Sequence, residues 1–165
     1  MREIPAQKLS AEKFAAYGVF ADMIAPQGEK IGEAPILFYR DMVQLPLGTS
    51  TIASLSVCQV EKREPVIDVS EFHTAVGEAI LPLDADVVIH VAAATPTDAP
   101  PADKIEAYLV PKGTLVVLKP GVWHHAPFAV DTQRANVLIV LPERAYAMDC
   151  TVRPIPEKDQ IKVSL

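Results

Sequence analysis

The sequence predicts a mainly β protein: an antiparallel barrel or sandwich with one short N-terminal helix. Two observations carry that prediction. Fifteen prolines are spread through 165 residues. Each fixes φ and removes a backbone donor, so helices of ordinary length do not fit between them. Between the prolines run short segments rich in Val, Ile, Leu and Thr, bounded by turn residues, at the roughly 8–12-residue spacing of small sandwiches and barrels. Only seven glycines argue against a flexible low-complexity chain. Helix bundles and βαβ folds are excluded.

The elements follow in order. Ser10 is placed to cap the helix, Glu12 sits in its first turn and Gly18 offers a left-handed stop. Leu9 and Phe14 occupy the two positions of a hydrophobic staple. Strands are expected near 35–40, 51–60, 78–83, 86–93, 104–110, 114–119, 126–130 and 135–141. Asp84-Ala85 reads as a hairpin turn between two of them. Thr95 to Asp103 is a polar Pro-rich loop inside a single domain spanning 1–165. The charged tail from Arg153 to Leu165 is expected to lie along a partner subunit.

Charge and composition narrow the function classes. The formal charge is −6, with no basic run, which suits neither nucleic-acid backbones nor anionic membranes. No apolar stretch approaches the ~18 residues of a membrane span, and MREIPAQKLS lacks a secretory core. Cys58 and Cys150 are far apart, which reads as two reduced thiols rather than a CxxC site. A cytoplasmic protein with a small-molecule substrate is the expectation.

Chemistry gathers at the histidines. In Glu71-Phe72-His73, an extended backbone puts Glu71 and His73 on one face, because the side-chain period is two. Glu78 follows five residues after His73. A second polar segment, Lys119-Pro120-Gly121-Val122-Trp123-His124-His125, is a Pro-Gly turn leading into a histidine pair. Carboxylate and imidazole groups from one segment plus imidazole from another suit a mononuclear divalent metal. His90, among Val and Ile, reads as a core histidine.

The two segments resemble the paired motifs of the cupin superfamily. Glu71-x-His73-x-x-x-x-Glu78 follows the first, with Glu71 in place of a histidine; Gly113 and Pro120-Gly121-x-x-His124 follow the second. At closer range, LSAEKFAAYG (9–18), EFHTAVGEAILPL (71–83) and KIEAYLVPKGTLVVLKPGVWHHAPF (104–128) resemble the ureidoglycolate lyase family. The resemblance implies a cupin-like jelly-roll barrel, or double-stranded β-helix. It also implies a homodimer that splits ureidoglycolate into glyoxylate and urea, aided by a divalent metal such as nickel, manganese or zinc.

The residues assigned on this basis are Glu71, His73, Glu78 and His124 as metal ligands, and Glu78, His125 and Lys119 as catalytic groups. Arg40, Lys119 and Trp123 are assigned to the substrate. Two positions depart from the family pattern: Val57 and Cys58 stand where a basic residue is expected, and Glu78 stands where many members carry an amide. Two alternatives stay open: another metal-dependent cupin enzyme acting on a sugar or hydroxy acid, and a non-catalytic cupin that binds a small acid.

Overall fold

Apolar residues on alternate positions build two curled sheets, and the site lies where the sheets are tied together. The computed structural model describes residues 1–165. The strands are β1 (Arg2–Lys8), β2 (Gly18–Asp22), β3 (Lys30–Ile31), β4 (Phe38–Tyr39) and β5 (Ala53–Glu61). There follow β6 (Val66–Ile67), β7 (Val69–Phe72), β8 (Glu78–Pro82), β9 (Val87–Val91) and β10 (Glu106–Val110). The last are β11 (Thr114–Leu118), β12 (Phe128–Ala129), β13 (Arg134–Pro142), β14 (Thr151–Pro154) and β15 (Ile161–Ser164). Two single-turn helices, α1 (Ala11–Phe14) and α2 (Ala145–Met148), complete the regular structure with two short 3-10 turns.

One sheet runs β12-β9-β10-β1-β15-β6 and the other β2-β11-β8-β13-β5. The ribbons β14-β7 and β3-β4 stand beside them. Between the two sheets lies a core that includes Phe14, Ile80, Ile89, Tyr108, Val116, Leu118, Val137 and Ile139. A second core, with Trp123, Phe128, Val88, Ile155 and Ile161, covers the opposite face of the six-stranded sheet. β9 is consequently buried along its whole length, as its unbroken VVIHV run requires. This is the cupin-type barrel, mainly β.

Five expectations need correction. The helix is capped as read, Ser10 Oγ accepting from the Lys13 amide at 3.2 Å, but its regular part ends at Phe14. Gly18 is no helix stop: it opens β2, and a Cβ there would overlap the Val117 carbonyl on β11. Asp84-Ala85 is no hairpin turn, because β8 and β9 belong to different sheets. There the chain crosses between sheets, held by the Asn136 amide donating to Asp84 Oδ1 at 2.8 Å. The 35–40 strand shrinks to Phe38–Tyr39, paired only with Lys30–Ile31 and largely exposed, since no sheet covers it.

The fifth correction concerns the ends. The tail is built into the chain's own six-stranded sheet. Its β15 pairs with β1 on one side and β6 on the other, burying Ile161 and Val163. The unexpected β1 lies parallel to both β10 and β15 and interrupts an otherwise antiparallel order. Short polar-apolar runs such as REIPAQK give little period-two signal on their own. Truncating fully buried Ile161 to Ala should cost roughly 2–5 kcal/mol. Chemical denaturation checks this, and the loss should not depend on protein concentration, because the contacts are intramolecular.

Candidate metal centre and active site

The site is made by two segments that local sequence brings to one place. Extended β7 continues into His73, so Glu71 and His73 share a face while Phe72 points away, its ring 4.6 Å from that of Trp123. The chain then turns at Gly77, where a Cβ would lie 2.6 Å from the Leu118 carbonyl oxygen, and enters β8 at Glu78. The second segment turns at Gly121, whose φ of +81° suits glycine and whose amide donates to the His73 carbonyl at 2.6 Å. Trp123 and Ala92 then exchange two backbone bonds of 2.9 Å. Glu71 and His124 exchange two more, of 2.6 and 2.8 Å, setting their side chains on the same face.

Glu78 lies between two imidazoles. Its Oε2 is 3.0 Å from His73 Nε2 and 3.0 Å from His124 Nε2, and all three side chains are buried. Both outer nitrogens are committed: His73 Nδ1 donates to the Asp149 carbonyl at 2.5 Å and His124 Nδ1 to the Val122 carbonyl at 2.8 Å. A carbonyl only accepts, so each Nδ1 carries the hydrogen. In the neutral rings, both Nε2 lone pairs therefore face a carboxylate. Such a group is stable only around a proton or a cation. Orientation of imidazole by Nδ1–H to backbone carbonyl is the usual support of a metal-ligating histidine, so the three donors fit a divalent ion.

The electrostatics agree. Burial opposes charge on His124, but the charge of Glu78 and its hydrogen bond outweigh it and lift the imidazole to about 9. Burial likewise opposes ionisation of Glu78, and the two histidines, His124 foremost, outweigh it and hold the carboxyl at about 2. His90 shows the opposite case. Burial drives it down to about 3; its Nε2 is 3.1 Å from Ser70 Oγ, and its Nδ1 has no partner.

Around this cluster stand residues that the sequence did not assign to the site. Asp149 accepts from the amides of Thr74 and Ala75 at 2.7 and 2.9 Å, clamping the loop that carries His73. Cys150 Sγ donates to Glu71 Oε2 at 3.4 Å, and burial with Glu71 beside it pushes the thiol up to about 12. The Tyr146 ring meets that of His73 edge-on at 6.2 Å, and burial followed by Glu78 and Glu71 raises its phenol. Arg63 donates to the Ala126 carbonyl at 3.1 Å and lies over the Phe128 ring. Asp149, Cys150 and Tyr146 come from α2 and the residues after it, far from either motif in sequence.

The sequence-assigned residues fall into groups. His73, Glu78 and His124 form one set of donors within 4.8 Å of one another. Glu71 joins a second set with His73 and Cys150. His125 is half-buried, its imidazole lowered by burial, then raised by Glu71 and lowered by His124 and Arg63. The other three lie elsewhere. Lys119 donates to the Ala15 carbonyl at 2.5 Å, Arg40 pairs with Glu29 at 2.6 Å, and Trp123 is buried in the second core with Nε1 donating to Thr95 at 3.0 Å.

In the metal-free protein, His124 supplies a sign-defined test. Its raised pKa means stability that is fully present below about 6.5 and lost as pH rises toward about 9. The melting temperature of chelator-treated protein should fall across that window, and the fall should shrink in His124→Asn.

Comparison with known proteins supplies the last step. A family profile described as ureidoglycolate lyase matches residues 1–162. Over 126 residues the chain is 28% identical to the ureidoglycolate lyase of Rhodobacter capsulatus, covering 75% of this chain and 77% of that one. Among solved structures, a dTDP sugar isomerase from Desulfovibrio desulfuricans G20 shares the fold at a TM-score of 0.54. That likeness covers 86% of this chain and 87% of the other at 13% identity, so it speaks for the barrel alone. A profile match running through both histidine segments means that this chain belongs to the ureidoglycolate lyase family, a family of enzymes.

Proposed function

We propose that this chain splits ureidoglycolate into glyoxylate and urea during breakdown of purine nitrogen, with nickel, manganese or zinc held by His73, Glu78 and His124. The observation that carries the reading is the buried two-imidazole, one-carboxylate cluster in a chain of this family. The substrate is a carbinolamide: one carbon bears a hydroxyl, a carboxylate and the urea nitrogen. Cleavage takes the hydroxyl proton, turns the C–O bond into a carbonyl and sends the C–N electron pair to urea, whose nitrogen gains a proton. When bound, a divalent ion supplies polarisation of substrate oxygens and a template for them.

The remaining work falls to the protein's own groups. His125, kept neutral by burial, receives the hydroxyl proton. Tyr146, whose ring meets that of His73 edge-on at 6.2 Å, delivers a proton to the departing urea. Arg63 pairs with the substrate carboxylate; its guanidinium bonds a backbone carbonyl and forms no salt bridge. The same reading places the enzyme in the cytoplasm, in keeping with free Cys58 and Cys150.

We also assign a homodimer. One register row of the five-stranded sheet reads Val19, Val117, Ala79, Val140 and Leu55, and Leu81, Leu138 and Val57 lie beside it. This is an apolar outer face on which Leu55, Val57 and Val19 are 68%, 59% and 49% exposed. A two-fold partner would cover it. Sedimentation should give twice 17.9 kDa at micromolar concentration, and a species of 17.9 kDa alone would refute the assignment.

Glyoxylate release from each ureidoglycolate enantiomer tests the activity. Wild type loaded with each metal should release it; His73→Ala should lose both metal and turnover while keeping its fold. Arg63→Met should raise KM about tenfold or more, the cost of one charged hydrogen bond, and Lys119→Met should leave KM within about twofold. The reverse pattern would move the carboxylate to Lys119. Metal bound without glyoxylate release would reject the lyase reading and favour another small hydroxy acid.

A further inference from the structure

We propose that Cys150, with Glu71 and His73, forms a second metal station beside the His73–Glu78–His124 cluster, so that a single thiophilic divalent ion has two alternative seats sharing His73. The proposal rests on the metal reading above and extends it to a sulfur ligand.

The geometry comes first. Donor atoms of Glu71, His73 and Cys150 lie within 4.8 Å of one another, as do those of His73, Glu78 and His124. With metal–sulfur and metal–oxygen bonds of about 2.3 and 2.0 Å, the sulfur–oxygen edge of a tetrahedron is about 3.5 Å. Cys150 Sγ and Glu71 Oε2 stand 3.4 Å apart. The imidazole limits occupancy. His73 Nδ1 is committed to the Asp149 carbonyl, which leaves Nε2 as the one nitrogen free to ligate. Both seats need that nitrogen, so they compete for one ion.

The surrounding charge favours a cation at the outer seat. The Cys150 thiol lies in the field of Glu71, Glu78 and Asp149, and Tyr146 in that of Glu78 and Glu71. An arriving dication displaces the thiol proton to solvent, because a ligating thiol ionises outright. A thiolate biases the outer seat toward zinc, cobalt or nickel and away from magnesium or manganese. The Glu71 backbone meanwhile is pinned by its pairing to His124.

Cobalt(II) titration of the full chain reads this directly. Wild type should bind one cobalt and develop a sulfur-to-cobalt charge-transfer band in the near ultraviolet. Cys150→Ser, nearly isosteric, should lose the band, still bind one cobalt at the inner cluster, and lose about tenfold of its preference for cobalt over manganese. Cys58→Ser should keep the band. Glu78→Gln, which weakens the inner seat, should strengthen it. One bound cobalt with no band in wild type, a band that survives Cys150→Ser, or two cobalt ions per chain would overturn the proposal and leave the lyase reading standing. No cobalt binding at all would overturn both this proposal and the metal part of the function, and glyoxylate release would then decide the rest.

Discussion

Two backbone hydrogen bonds between Glu71 and His124 are what the rest of the site depends on. They join the β7 segment to the segment after the Pro120-Gly121 turn, and pairing them directly sets both side chains on one face. The neighbouring exchange between Trp123 and Ala92 ties the same segment to the end of β9. Two consecutive residues, Trp123 and His124, thus link the six-stranded sheet to the β14-β7 ribbon. Alternation does the sorting: Trp123 goes to the second core and His124 to the cluster around Glu78.

That arrangement forces a charge into a dry place. Glu78 opens β8 opposite Leu118, a fully buried core residue, so its carboxylate cannot reach bulk water. An isolated buried carboxylate is costly, and pairing is what makes it tolerable. Two imidazoles at 3.0 Å provide the pairing, and backbone carbonyls fix which nitrogen of each ring faces inward. Asp149 contributes twice, its carbonyl holding the His73 ring and its carboxylate holding the loop behind it. Both rings are thus oriented by the protein before any ligand arrives.

Comparison of His90 with His124 isolates the cause of their opposite behaviour. Both rings are buried. His124 has a carboxylate at 3.0 Å and is pushed up; His90 has only the Ser70 hydroxyl and is pushed down. Ser70 also donates to the His124 carbonyl at 3.2 Å, so the neutral histidine in the second core braces the segment that carries the charged one. Burial alone neutralises a histidine; a partner of opposite charge reverses the sign.

The sequence by itself determined the β class, the Ser10 cap, most strands from β5 to β13 and the His73, Glu78 and His124 donors. Those features are written in short range: prolines that stop helices, period-two alternation that puts Glu71 and His73 on one face, and Pro-Gly turns that aim the residues after them. Tertiary structure alone decided the rest. Whether Asp84-Ala85 turns a hairpin or crosses between sheets depends on which strands find each other, and no local pattern encodes that. β1 is too polar and β15 too short to announce itself, and they become strands because each completes the other's hydrogen bonds. Asp149 and Cys150 reach the histidines only because β13 ends beside them, after a separation of 76 residues between His73 and Asp149. Lys119 turned toward the Ala15 carbonyl for the same reason: one position past Leu118, a side chain faces the other way.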